Sequence, residues 1–329
     1  MPIPAPTLEQ LQEAAHSHRR DLLNIPRVGV ESTTRFCQIR LGVRGKESVY
    51  TPDFDAELSG YSVAEREDVK GDGFIPRTLE TFFGAAFFDF DPNQLISTIF
   101  GHRASQAGEG AKNTDLARDV VGAVLKNIGG KLNSHLFNAK QDSTKKGTKY
   151  LFNGWDTIVD AEIAAGNISA ANGNYIKLTE KITSANADRI LKSVLRQLSD
   201  ELRETESYIV TSRSICDNYN ENYLLTHQGL NYNKQFNQPV LEGSDGLFTF
   251  APCVGKRKSK YIFFTAKGNM IIGFDQMSDK EHVEVNKYEP KKLTGELYMF
   301  VGCEFESIDP RRLVVVELAD DDAADQNND

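Results

Sequence analysis

The first period that stands out along the chain is helical. Thr7 precedes Leu8, Leu11 and the pair Ala14 and Ala15, Gln10 completes a capping box, and Pro26 ends the segment. From Phe36 to Val43 apolar and polar side chains alternate, the pattern of a strand with one covered face. The pattern then lapses. Lys46 to Arg77 is rich in charge and carries no core stripe, which is long for a passive connection inside a compact domain. Such a stretch is either disordered or an extended β-arm that acquires partners outside the body. Phe82, Phe83, Phe87, Phe88 and Phe90 come directly after it. At strand period they fall on both faces, so this strand is expected to be covered on both sides, by the chain's own core or by another subunit.

Residues 114–140 form the longest periodic run. Thr114 is its expected cap, and Leu116, Val120, Val121, Val124, Ile128, Leu132 and Leu136 recur at spacings of three and four. Gly122, Gly129 and Gly130 inside it allow a bend or a close neighbour. After Leu151-Phe-Asn-Gly-Trp155, Asp156 to Ala165 reads as a short helix. A second amphipathic helix begins at Ser184, with Ala187, Ile190, Leu191, Val194, Leu195, Leu198 and Leu202 as its buried face. A short strand at Tyr208 to Thr211 then leads into a Ser212-capped helix bearing Ile215, Tyr219, Tyr223 and Leu224, the order of a mixed α/β unit. The last third is β-rich. Tyr261–Ala266 and Met270–Phe274 flank Lys267-Gly-Asn269 and are expected to form a hairpin, and Leu297–Cys303 and Leu313–Leu318 supply two further strands.

Composition narrows this little. Of 329 residues, 40% are hydrophobic and 26% charged, the balance of a globular chain long enough for two packed domains or one elaborated domain. No apolar run approaches the ~20 residues of a membrane span. The opening Met1-Pro-Ile-Pro-Ala-Pro lacks the basic-then-apolar order of a secretory signal, so the chain is expected to fold where it is made. Five of its nine net negative charges are the aspartates between Asp320 and Asp329, which are too polar to bury. The remaining acidic body argues against a general nucleic-acid binder. Cys37, Cys216, Cys253 and Cys303 are scattered and are expected to be reduced and partly buried.

Motifs for chemistry are lacking. The six histidines show no metal spacing, Gly108-Glu-Gly-Ala-Lys-Asn-Thr114 fails the spacing of a phosphate loop, and there is no GxSxG elbow. No residue qualifies as catalytic, cofactor-binding or metal-binding. The basic run Lys256-Arg-Lys-Ser-Lys260 either touches phosphates or guards the edge of the following strand.

The order of elements resembles the major capsid proteins of tailed bacteriophages, the Hong Kong 97-like fold. The resemblance rests on the polar arm region, on the long helix running into Leu151-Phe-Asn-Gly-Trp155, on the Ser184 helix running into Tyr208-Ile-Val-Thr-Ser212, and on Phe236 to Gly243 with the later Gly268-Asn-Met-Ile-Ile-Gly-Phe-Asp275. It implies an α+β fold with an N-terminal arm (1–34) and an extended β-arm or E-loop (35–80). A peripheral domain (81–165 and 270–318) would hold the spine helix 114–140 and a sheet completed by the last two strands. A mixed α/β axial domain (166–269) and an acidic tail (319–329) would complete the chain. It also implies a head-shell subunit of a phage or prophage that assembles with itself into pentamers and hexamers, made in the bacterial cytoplasm and residing in the virion. A separate scaffolding protein, a portal and a maturation protease would be further partners, packaged DNA would be touched only non-specifically, and neither membrane nor cofactor is involved. Arg66, Glu67, Asp68 and Lys70 are the expected contacts to a neighbouring subunit, and deletion of Lys46 to Arg77 is expected to leave a folded monomer. Two other readings stand beside this one: an encapsulin-like nanocompartment shell protein, and an α+β enzyme whose site is gathered from distant segments.

Overall fold

The computed structural model describes residues 30–53, 73–90, 112–227, 240–275, 283–289 and 292–319. In chain order the elements are α1 (Glu31–Thr34), β1 (Gln38–Leu41), β2 (Lys46–Asp53), β3 (Gly73–Glu80), β4 (Phe82–Phe90) and α2 (Lys112–His135). Next come α3 (Trp155–Ala164), β5 (Tyr175–Lys177), α4 (Ala187–Leu195), α5 (Asp200–Arg203), β6 (Ser207–Thr211) and α6 (Arg213–His227). The chain continues through β7 (Phe248–Pro252), β8 (Tyr261–Ala266), β9 (Met270–Phe274), β10 (Val283–Glu289), β11 (Lys292–Phe305) and β12 (Leu313–Glu317). The helix expected to start at Thr7, the glycine-rich stretch before Thr114 and the acidic tail lie outside the described residues.

Among the described residues the strands form two five-stranded sheets and a separate two-stranded hairpin. One sheet has the order β5-β12-β8-β6-β7. Its central strand, β8, is buried at every position because it is covered on both faces. Period two explains the split: Tyr261 and Phe263 join one apolar cluster with Trp155, Val159 and Leu136, while Ile262 and Phe264 join another with Leu191, Val194 and Tyr219. The second sheet runs β1-β9-β11-β10, with β4 also on β11. Residues 293–297 of β11 pair with both β4 and β10, so those two strands occupy opposite edges of it.

All seven apolar residues expected to mark the Ser184 helix are buried. The helix itself is interrupted: α4 starts at Ala187 and ends at Leu195, and Ser199 then caps a separate turn, α5, by accepting from the Leu202 amide. The long helix is also shorter than its pattern. It stops at His135 because the next helix takes over its carbonyls: Trp155 N and Asp156 N donate to Leu136 O and Phe137 O at 3.3 and 3.0 Å, and Gly154 N donates to Ala139 O at 2.9 Å. A Cβ on Gly154 would lie 2.6 Å from Leu136 O, so only glycine permits this junction.

Two expectations about the last third are corrected. Tyr261–Ala266 and Met270–Phe274 do not form a hairpin. Both edges of β8 are already taken, by β6 and β12, so β9 turns away to pair with β1 and β11. The turn between them is held from the side: the Asn269 amide donates to Thr265 Oγ1 (3.1 Å) and Ser307 O (3.0 Å), and its Oδ1 accepts from Ser307 N (2.8 Å). Likewise, the last two strands do not complete one sheet, because β12 pairs with β8 and β5 while β11 lies in the other sheet.

Candidate functional site

The feature that departs from a closed body is the hairpin of β2 and β3, in register from Lys46↔Glu80 to Asp53↔Gly73. It is a sheet of its own, with no third strand among the described residues, and two strands alone are marginal in water. Arg66, Glu67, Asp68 and Lys70 belong to the stretch between β2 and β3 and lie outside the described residues.

The root of the hairpin is not the featureless polar stretch its sequence suggests. Val49 and Leu79 are fully buried with Val43 and Ile271. On the other side Arg77 donates from Nη2 to Glu162 of α3 and Glu304 of β11, both at 2.8 Å, and from Nε to Phe305 O at 3.2 Å. Burial pushes the Glu304 carboxyl above the usual range and Arg77 pulls it back down. Burial likewise opposes the Arg77 charge, but Glu304 and then Glu162 more than offset it. The deletion of Lys46 to Arg77 would therefore remove part of the body's own packing. The expectation that this whole stretch is dispensable for folding is corrected to its outer part.

Where β3 passes into β4 the chain crosses the face of the second sheet. Thr81 N donates to Gly45 O (2.7 Å), Gly45 N donates to Thr81 Oγ1 (2.9 Å), and that hydroxyl donates to Val43 O (3.0 Å). Beneath the crossing, Gly273 of β9 and Gly302 of β11 are partners in register. A Cβ on Gly302 would collide with the Glu80 carbonyl, lying 2.9 Å from its carbon and closer to its oxygen. A Cβ on Gly273 would lie 2.8 Å from Thr81 Cγ2. The glycine pair makes a flat place on which the arm's backbone rests.

Beyond the crossing, β4 is half-buried on one face and exposed on the other, so of the two expected sources of cover the chain's own core supplies only one side. Phe82, Gly84 and Ala86 pair with Val301, Met299 and Leu297, and Phe82 to Phe87 together line a cavity of about 760 Å³ with Val124, Ile128 and Leu132 of α2. On the other face Phe83 and Phe87 are 56% and 64% exposed. They are held by neighbours rather than loose: the Phe83 ring lies 5.7 Å from Tyr298 and 5.0 Å from Phe300, and Phe87 lies 6.3 Å from Tyr298.

Candidate chemistry is sparse. Among the described residues there is no cluster of metal-ligating side chains and no helix long and apolar enough to cross a membrane. The cysteines are free thiols, and burial raises Cys37, Cys303 and Cys253, the last to about 11, which keeps them neutral. Lys256 fits neither reading of the basic run, because it is 1% exposed. Its ammonium donates to Asp156 Oδ1 (2.7 Å), Ser259 Oγ (3.0 Å) and Tyr261 O (3.0 Å) and lies 3.3 Å from the centre of the Phe263 ring. Burial lowers its pKa to about 8 against the pull of Asp156. With every proton engaged, this lysine ties α3 to the turn before β8 rather than acting on a ligand.

No family model matches the chain, and no curated protein matches its sequence. Solved structures do match its fold. One is the satellite phage P4 procapsid with its size determination protein, at a TM-score of 0.59 and 12% identity over 91% of this chain and 90% of that one. A second is the capsid of a native GTA particle, at 0.52 and 12% identity over 88% and 90%, and a third is the cyanophage A-1(L) capsid, at 0.51 and 14% over 89% and 92%. The fold is the Hong Kong 97-like capsid fold, spanning nearly the whole chain.

Proposed function

We propose that this chain is a self-assembling shell subunit of a phage-type capsid. The observation that carries the reading is the hairpin arm, anchored at its root by Arg77 and Thr81 yet leaving the body as a two-stranded sheet without further strand partners among the described residues. A fold shared with three capsid structures over about nine-tenths of each chain supports it, as does the uncovered face of Phe83 and Phe87. Many weak, symmetric contacts between copies, each burying a little of such surface, add up to a stable shell.

In this reading residues 35–80 are the arm, 81–165 and 270–318 the peripheral domain, and 166–269 the axial domain. Because β12 lies in the sheet of β8, the axial sheet would borrow its last strand from the C-terminal segment. Arg66, Glu67, Asp68 and Lys70 would meet a neighbouring subunit. Copies would gather as pentamers and hexamers, with scaffolding protein, portal and protease as separate partners and DNA touched without sequence preference. The protein would act in the virion without catalysing a reaction.

Electron microscopy and light scattering of the concentrated protein test this. Rings or closed particles that grow in with concentration are expected. A single small oligomer at every concentration and salt, with no rings or particles, overturns the proposal.

A further inference from the structure

One edge of the first sheet collects positive charge. β5, β12, β6 and β7 all run in the same direction and only β8 opposes them. The carboxyl ends of four strands, and the segments beyond them, therefore emerge together. Lys181 follows β5, Arg213 follows β6 and Arg257 follows β7, and Arg35 joins them from the chain after α1. These four cations rim a cleft of about 720 Å³ whose floor includes Ile182 and Ile215. That volume lies within the roughly 300–1,000 Å³ of ligand-sized clefts. Among the described residues no carboxylate lines it. Asp217, one turn along α6, pairs with Arg213 at 3.2 Å from outside the lining. In a chain with nine net negative charges, such a concentration of cations is a local exception. Crevices at the carboxyl ends of parallel strands are also where open α/β sheets place their ligands.

The fourth strand end at this edge belongs to β12, and the chain beyond it is acidic. Glu317 pairs with Tyr261, and Leu318 N donates to Lys260 O at 2.8 Å. The C-terminal segment thus departs three residues from Arg257. Asp320 to Asp329 then supplies five carboxylates in ten residues, spaced by alanine, asparagine and glutamine. Ten residues reach up to about 35 Å when extended, and three residues separate their anchor from the cleft by no more than about 11 Å. Length, point of departure and charge therefore agree.

We propose that this cleft is the receptor for the chain's own acidic C-terminal segment, residues 320–329, whose aspartates meet Arg35, Lys181, Arg213 and Arg257. As a tethered acidic peptide the segment competes with other polyanions for the cleft. The inference does not depend on shell formation and stands or falls separately from it.

The test uses the full chain at a concentration where it is monomeric. In a tail-neutral variant the five aspartates Asp320, Asp321, Asp322, Asp325 and Asp329 become asparagine. The probe is a fluorescent peptide with the sequence of residues 319–329. The tail-neutral chain is expected to bind the peptide and to release it as salt is raised. The parent should bind it about tenfold more weakly, the ratio expected for a tether of order 1 mM effective concentration competing with a peptide of order 0.1 mM Kd. Adding Arg35→Glu and Arg257→Glu to the tail-neutral chain should abolish binding. Both side chains are exposed, and circular dichroism checks that the fold is retained. Equal binding by parent and tail-neutral chains, no binding by either, or binding untouched by the two Glu substitutions overturns the proposal. So does a single-stranded DNA oligonucleotide that fills the cleft of the tail-neutral chain and is not displaced by the peptide, which would assign the site to nucleic acid.

Discussion

Gly302→Ala offers the sharpest perturbation of the arm without touching the arm itself. The new Cβ would lie 2.9 Å from the Glu80 carbonyl carbon and closer to its oxygen. Ordinary carbon contacts are at about 3.5 Å or more, so the two chains must part by about 1 Å. The crossing is pinned on one side by the Thr81 bonds to Gly45 and Val43, roughly one strand spacing away. A shift of about 1 Å over ~4.8 Å tilts the hairpin by about 12°. Eight paired residues per strand, at ~3.3 Å each, carry that tilt about 25 Å outward, so the outer end moves by about 5 Å. Overpacking of this kind costs about 1–3 kcal/mol, too little to unfold a body of this size. The expected outcome is a folded variant with a modestly lowered melting temperature that fails to give particles under conditions where the parent does. Circular dichroism, light scattering and microscopy read the three quantities. Gly273→Ala should act in the same direction but more weakly, because its nearest atoms are the side-chain carbons Thr81 Cγ2 and Leu79 Cδ2. If Gly302→Ala assembles at the parent's rate, the glycine pair does not set the arm's direction and the reasoning fails.

Four further outcomes rest on buried contacts. Lys256→Ala should cost about 3–5 kcal/mol in urea unfolding by leaving Asp156 unpaired, and Lys256→Met with Asp156→Leu should recover most of it. The folded Lys256 pKa of about 8 lies below 10.5, so between pH 8 and 10 the unfolded chain holds more protons and stability rises with pH. The parent should therefore gain up to about 2–3 kcal/mol over Lys256→Met across that window, and a flat difference would show that the ammonium is not desolvated. Arg77→Ala should cost about 3 kcal/mol, with a larger loss at pH 8 than at pH 5 because the Glu304 carboxyl, already raised by burial, is then left ionised without its partner. Glu304→Gln should remove that pH dependence. Gly154→Ala should cost about 1–3 kcal/mol in urea unfolding, since its Cβ meets the carbonyls that end α2, and an unchanged midpoint would contradict that junction.

How much of this was legible depends on whether the physics is local. Periodicity marked the seven buried apolar positions from Ala187 to Leu202, the strand at Tyr208 and the helix after Ser212, because one face buried against one neighbour leaves a repeat in the sequence. The long helix was visible for the same reason, although Leu125, also fully buried, was missed. Gly273 and Gly302, set inside apolar strands, were available as signals of close backbone approach. Nothing in the sequence says what approaches them.

The chain's own sequence determined the class of its elements, the polar arm, the absence of a catalytic motif and the order that resembles a capsid subunit. Tertiary structure alone decided which strands share a sheet. Tyr261–Ala266 and Met270–Phe274 are separated by an ideal turn, yet both edges of the first were claimed by β6 and β12, segments distant in sequence. It also decided that Lys256, in the most basic run of the chain, belongs to the core, because Asp156, one hundred residues away, waits there with an aromatic floor beneath it. Edge occupancy and charge pairing are properties of the surroundings of a segment. A one-dimensional pattern records only how many faces are buried, and the partners appear when the chain closes on itself.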